Sequence, residues 1–96
     1  MSEKIILELE KIIKKRKEST DPNSYIVKLF SKGNVKIANK LGEEAVETIS
    51  AFLSEGKEEF LEESADLIFH LLIMLEAANV SLDDVLLVLK KRMKND

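Results

Sequence analysis

An all-α fold, an antiparallel bundle of about four to five helices completed by dimerisation, is what this sequence predicts, and three observations predict it. Apolar residues recur every three or four positions along most of the chain, the period of a helix face. One Pro and three Gly are few for the turns of a β-rich fold. Charged residues make up 34% of the chain, which suits amphipathic helices with one wet face. The length of 96 residues fits one domain, residues 1–96. A domain of this size buries only about 60–65% of its unfolded surface, so a lone copy is marginal.

Taken in order, Ser2 is placed to cap a first helix through about Glu18, with Ile5, Ile6, Leu9, Ile12 and Ile13 forming one apolar stripe. Ser19 to Asn23 reads as a loop by composition. Ser24 starts a short helix, Tyr25 to about Ser31, which Gly33 ends. A long helix runs from about Asn34 to Ser54, with Gly56 as its stop. Gly42 inside it costs about 1 kcal/mol relative to Ala, so a packing or close-approach reason is expected there. The next helix covers about Glu58 to Ala78, and its segment Leu67–Leu75 is apolar all the way round and needs cover on every side. Asn79 suits a left-handed stop, and Ser81 with Asp84 resembles a capping box. The last helix runs from Ser81 to about Lys94 with Leu82, Val85, Leu86 and Leu89 inward. Short loops between helices favour antiparallel neighbours. One copy has too few apolar faces to cover Leu67–Leu75, so a homodimer or a dimer of dimers is expected; the alternative is cover by the first and last helices alone.

Composition removes several classes of function. A net charge of −3 argues against a nucleic-acid binder, but not against a nucleotide ligand, because a metal reverses the local sign. With no Cys there is no disulfide, thiolate zinc site or Cys nucleophile. The opening MSEKIILELE is acidic and periodic, unlike a signal peptide, and no apolar run approaches the roughly 20 residues that span a bilayer. A cytoplasmic protein that engages neither nucleic acid nor membrane is the expectation.

The informative feature is acidic. Each long helix carries a carboxylate pair at i, i+3: Glu44 with Glu47, and Glu63 with Asp66. Members of such a pair share a helix face. Glu43 flanks the first pair, and Lys40 lies one turn before Glu44. Acidic residues on helices are usually a solvated face, and Glu58, Glu59 and Glu62 read that way. Asp66, however, enters directly into the apolar run, with His70 one turn further on. A carboxylate at the edge of a core is costly unless paired or metal-bound. If the two helices are antiparallel neighbours, four carboxylates face one space and repel unless a cation sits there. Hard oxygen ligands select magnesium, manganese or calcium. A di-iron bundle needs Glu-x-x-His on two helices, and the chain has a single His.

The pattern Glu43-Glu44-x-x-Glu47, fifteen residues, then Glu63-x-x-Asp66 resembles the signature of the MazG-like all-α nucleoside triphosphate pyrophosphohydrolases. The words Ser24-Tyr25, Lys28-Leu29-Phe30, Gly33, Lys40 to Glu47, Ala65 to Leu72 and Leu89-x-x-Arg92 resemble the phosphoribosyl-ATP pyrophosphohydrolase family of histidine biosynthesis, over nearly the whole chain. Two departures are Ile26, where the family often has Thr, and Phe69, where Tyr is common; each removes a hydroxyl. The resemblance implies hydrolysis of phosphoribosyl-ATP to phosphoribosyl-AMP and pyrophosphate, with Mg2+ (Mn2+ as a substitute) held by Glu44, Glu47, Glu63 and Asp66. It implies Glu43 and Glu47 as catalytic candidates, Glu43 being either a further ligand or the base. Lys40 would hold a phosphate, and Tyr25, Lys28 and Lys32 would line the phosphoribosyl or phosphate end. Arg92 would bind phosphate or cap the dimer, and His70 would either orient Asp66 or be a satisfied core histidine. A house-cleaning (d)NTP pyrophosphohydrolase and a non-enzymatic helical dimerisation module are the competing readings.

Overall fold

A computed structural model of the chain describes residues 2–94 as five helices: α1 Ser2–Lys17, α2 Tyr25–Ser31, α3 Asn34–Ser54, α4 Lys57–Ala77 and α5 Leu82–Met93. The all-α bundle expected from periodicity is therefore present. Helix α1 already includes Ser2, and the cap expected of the Ser2 side chain lies outside the described residues.

Local chemistry sets the boundaries. The Ser24 hydroxyl accepts from the Val27 amide at 3.2 Å and caps α2. Gly33 has φ +91°, a conformation costly for other residues, and turns the chain from α2 directly into α3. Gly56 is not the stop of α3: Glu55 ends that helix, and Gly56, at φ −83°, caps the start of α4. The end of α4 is a Schellman motif. Asn79 takes φ +59°, its amide donates to the Glu76 carbonyl at 3.0 Å, and the Val80 amide donates to the Leu75 carbonyl at 3.1 Å. Ser81 and Asp84 form a reciprocal capping box at the start of α5.

The core gathers Ile13, Leu29, Ile37, Leu72, Ile73 and Leu82, one or more from each helix, with Ile6, Leu9, Phe30, Phe69 and Leu75 packed around them. Ile13 and Ile73 are fully buried, and each stabilises the fold by about 1.5–3 kcal/mol relative to exposure. The α1 stripe is narrower than its apolar content suggested: Ile6, Leu9 and Ile13 face inward, whereas Ile5 and Ile12 are exposed. Helix α5 is anchored by Leu82, while Leu86 and Leu89, expected inward, are about half exposed. In α4 the apolar segment is covered at Leu72 and Ile73 but open at Ile68 and Leu71.

Helices α3 and α4, 21 residues each, are joined by Glu55 and Gly56 alone, which forces them into a hairpin along their length. Ala51, fully buried, allows close approach near the turn. The packing reason expected at Gly42 is absent: a Cβ placed there would meet nothing within 4 Å. No described helix is long and apolar enough to cross a membrane.

Candidate metal centre

The hairpin brings the two carboxylate pairs together. Glu44 lies on the seam of α3 one turn before Thr48, and Glu63 and Asp66 lie on the facing part of α4. One carboxylate oxygen from each of Glu44, Glu63 and Asp66 falls within 4.8 Å of the others. Glu47 stands next to this trio and acts on the Glu63 and Glu44 carboxyls. Three of the four carboxylates expected to converge, Glu44, Glu63 and Asp66, therefore lie together, with Glu47 beside them. Glu43 is exposed on the flank, close enough to act on the Tyr25 hydroxyl through its charge.

The electrostatics are those of a crowded anionic site. Glu44 is only 7% exposed. Burial first, then the neighbouring charges of Glu47 and Asp66, push its carboxyl above the ordinary range. Glu63 is pushed up to about 7, chiefly because its protonated carboxyl donates to the Glu47 carboxylate, then by desolvation and the charges of Glu47, Glu44 and Asp66. The two shifts share a cause: carboxylates crowded this closely disfavour ionisation of Glu44 and Glu63. Relief comes from one cation of the chain, Lys40, whose Nζ lies 4.0 Å from Glu44 Oε1. The second oxygen, Oε2, is buried without a partner. A buried carboxylate oxygen with no donor costs stability unless something outside the chain satisfies it. An all-oxygen donor set of this kind fits a hard divalent cation, so these residues can hold one.

Two hydrogen-bonded links surround the cluster. The Thr48 hydroxyl lies 2.7 Å from the Glu44 carbonyl and 3.0 Å from the Glu63 carbonyl. His70 is buried, with Nδ1 2.7 Å from the Asp66 carbonyl and Nε2 2.8 Å from the Tyr25 hydroxyl. A carbonyl only accepts, so in the neutral ring Nδ1 carries the proton and the Tyr25 hydroxyl donates to Nε2. The ring also meets Phe69 and Tyr25 edge-on. His70 thus holds the backbone of Asp66 rather than its carboxylate, and it orients Tyr25. That hydroxyl sits within the fields of Lys40, Glu44, Glu43 and Asp66, and burial is the main reason its proton is held more tightly than usual. The Tyr25–His70 bond spans 45 positions, and nothing in the local sequence announces it. Thr48 did carry a signal, since it stands one turn after Glu44 on the same face.

The remaining candidates lie apart. Lys28 is exposed on α2, and Lys32 is exposed as its C-cap. Arg92 lines a shallow groove on α5 with Val80, Val85 and Leu89. Among the described residues no hydrogen bond or ion pair links any of the three to the cluster. Glu58, Glu59 and Glu62 are exposed, as expected, and border an open hollow that also reaches Glu63 and Asp66.

Fold and cluster together define a class: an all-α protein with a carboxylate cluster on a helical hairpin that could hold a divalent cation. The family profile described as phosphoribosyl-ATP pyrophosphohydrolase matches residues 6–93. The chain is 51% identical over 94 residues to the phosphoribosyl-ATP pyrophosphatase of Pyrobaculum arsenaticum, covering 98% of this chain and 100% of that one. It is 45% identical to the protein of the same name from Saccharolobus islandicus, with the same coverage. Against the histidine biosynthesis bifunctional protein HisIE of Thermotoga maritima the identity is 46% over 88 residues, 92% of this chain and 45% of that one. The chain belongs to the phosphoribosyl-ATP pyrophosphohydrolase family.

Proposed function

We infer that the protein hydrolyses phosphoribosyl-ATP to phosphoribosyl-AMP and pyrophosphate, as a step of histidine biosynthesis. The observation that carries the reading is the convergence of Glu44, Glu63 and Asp66 within 4.8 Å in a chain of this family. Mg2+ is the cofactor of this reading, with Mn2+ as its substitute, held by Glu44, Glu47, Glu63 and Asp66. When bound, such a cation neutralises phosphate oxygens and makes water a better nucleophile at the α–β anhydride.

The chain's own residues do the rest. The buried carboxyl of Glu44 fixes one wall of the site. Glu63, whose proton is held up to about 7, and its neighbour Glu47 would supply oxygen ligands from the two facing helices. Glu43, exposed beside the cluster, is the base candidate that accepts a proton from the attacking water. Lys40, whose ammonium stands beside Glu44, would hold a phosphate of the substrate. Tyr25, its hydrogen committed to His70, presents lone pairs to a donor group of the substrate. Lys28, Lys32 and Arg92 belong to the phosphate or phosphoribosyl end in this reading.

Dimerisation is the second half of the proposal. Val46, Ile49, Phe52 and Leu53 on α3, with Leu61 and Ile68 on α4, are all exposed, Phe52 to 69% and Leu53 to 73%. So are Leu86 to Leu89 on α5. Apolar exposure of this extent on adjacent helices suits cover by a second copy. Sedimentation of the purified chain should give at least twice the monomer mass, and a monomer at micromolar concentration would refute this part.

The activity is tested by pyrophosphate release from phosphoribosyl-ATP, dCTP, dUTP and ATP, each with Mg2+. Turnover of phosphoribosyl-ATP above the others is expected. Turnover of dNTPs without phosphoribosyl-ATP would overturn the assignment in favour of a house-cleaning role. No turnover together with no Mg2+-dependent thermal shift would favour a non-enzymatic module.

A further inference from the structure

Two antiparallel helices that meet along an apolar seam resist separation better than sliding, because dispersion contacts are non-directional. A cation site built from both helices needs them fixed lengthwise, since its ligands must hold position to within about half an ångström. In this chain the carboxylates add a force the wrong way, because Glu44, Glu63 and Asp66 crowd one another from opposite helices. Something directional has to pin α3 to α4 at the level of the cluster.

Apart from the carboxyl contact of Glu47 with Glu63, which lasts only while a proton is held there, the hydrogen bond that joins α3 to α4 among the described residues is made by Thr48. A threonine in a helix commonly bonds back to the carbonyl four residues earlier, and Thr48 does so to Glu44 at 2.7 Å. Its hydroxyl also reaches across to the Glu63 carbonyl at 3.0 Å. The hydroxyl has a single hydrogen, so the two acceptors share it. Each carbonyl also accepts its own helical bond, and the hydroxyl uses the remaining lone pair. The two carbonyls belong to the two residues that face each other across the site, one per helix. A carbonyl and a side chain spring from the same Cα, so fixing these carbonyls relative to one another also fixes the roots of both carboxylates.

We propose that Thr48 is a positioning residue for the cation site: by bridging the Glu44 and Glu63 carbonyls it sets the register of α3 against α4 that brings the ligating carboxylates together. This rests on the cation-site reading above. Thr48 touches neither substrate nor cation, so its removal should weaken metal binding rather than change the chemistry of the loaded enzyme.

Three variants of the full chain test this: Thr48→Val, which keeps the branched shape; Thr48→Ala, a strong helix former; and Thr48→Ser, which keeps the hydroxyl. Calorimetric titration with Mn2+ should show Val and Ala binding roughly tenfold more weakly, the scale of losing an outer-sphere partner, with Ser close to the original. In turnover assays the Mg2+ concentration for half-maximal rate should rise by a similar factor in Val and Ala, while the rate at saturating Mg2+ changes little. Metal-free melting curves should remain cooperative in all three. Val and Ala titrating like the original chain would overturn the proposal, as would Ser as weak as Ala. Absence of Mn2+ binding by the unaltered chain would overturn the cation-site reading and this proposal with it.

Discussion

Two regions of the molecule use charge in opposite ways. At the corner between α4 and α5, every charged group meets a partner of opposite sign or the matching end of a helix. The Lys17 ammonium donates to the Glu76 carbonyl at 2.9 Å and the Asn79 side chain at 3.0 Å, with the Glu76 carboxylate 4.0 Å away. It therefore sits on the negative C-terminal end of α4. The Glu10 carboxylate accepts from the Leu82 amide at 2.8 Å, on the positive N-terminal end of α5. Both residues come from α1, which holds the corner from the outside. At the α3–α4 cluster, carboxylates meet carboxylates, one oxygen of Glu44 is buried without a donor, and the Glu44 and Glu63 carboxyls hold their protons more tightly than usual. The corner is satisfied within the chain, whereas the cluster leaves a buried oxygen without a donor and could hold a divalent cation. Charge arranged for stability satisfies itself, and charge arranged for binding leaves a need.

The two regions should respond to mutation in opposite ways. The largest effect should come from Glu47→Gln, and similarly from Glu44→Gln. Turnover should fall by about a hundredfold or more, beyond the loss typical of an outer-sphere partner. The metal-free forms should melt no lower than the original, because removing a like charge relieves repulsion. Near-normal turnover in Glu47→Gln would remove it from the site. At the corner the pattern should invert. Lys17→Met should cost about 1–2 kcal/mol in urea unfolding, a charged hydrogen bond discounted for partial exposure, while turnover per folded molecule stays unchanged.

The sequence made some of this legible and left some of it hidden, for physical reasons. The α3–α4 hairpin and its carboxylate pairs follow from local periodicity, and i, i+3 spacing is enough to put each pair on a face. The caps at Ser24, Asn79 and Ser81 are equally local and lie where their chemistry requires. Long-range polar partners have no such signature. Lys17 and Glu76 are 59 positions apart, Glu10 and Leu82 are 72 apart, and neither pair stands out in a chain that is one-third charged. Nor does periodicity say which apolar residue of an over-wide stripe is left outside. Ile5 and Ile12 on α1, and Leu86 and Leu89 on α5, carry the right spacing and yet lie exposed in the single chain.

A smaller effect sharpens the contrast through pH. Glu63 is held at about 7 in the folded chain, above its ordinary value of 4.5. Between those values the folded state binds more protons than the unfolded state, so metal-free stability should fall as pH rises from about 5 to about 7.5. This is opposite to the usual behaviour of a salt-bridged carboxylate. Mg2+ at pH 8 should restore the melting temperature, and Glu63→Gln should flatten the metal-free profile. A metal-free melting temperature that climbs across this window would show that the cluster is not under repulsion.

The smallest effect concerns Gly42, which lies on the helix that carries Lys40, Glu43 and Glu44. Within one chain nothing explains a glycine there, since an added Cβ meets only open space. Gly42→Ala should therefore raise the stability of the isolated chain by up to about 1 kcal/mol, the helix-propensity difference. Turnover gives the discriminating measurement. Unchanged turnover would make Gly42 a tolerated helix flaw. A rise in KM for phosphoribosyl-ATP with a stabilised fold would mean that substrate passes close to the α3 backbone at this point. A shift toward monomer in sedimentation would mean that a second copy does. The open side of Gly42 would then be read as room kept for something outside the chain, as the partnerless oxygen of Glu44 is on the buried side of the same turn.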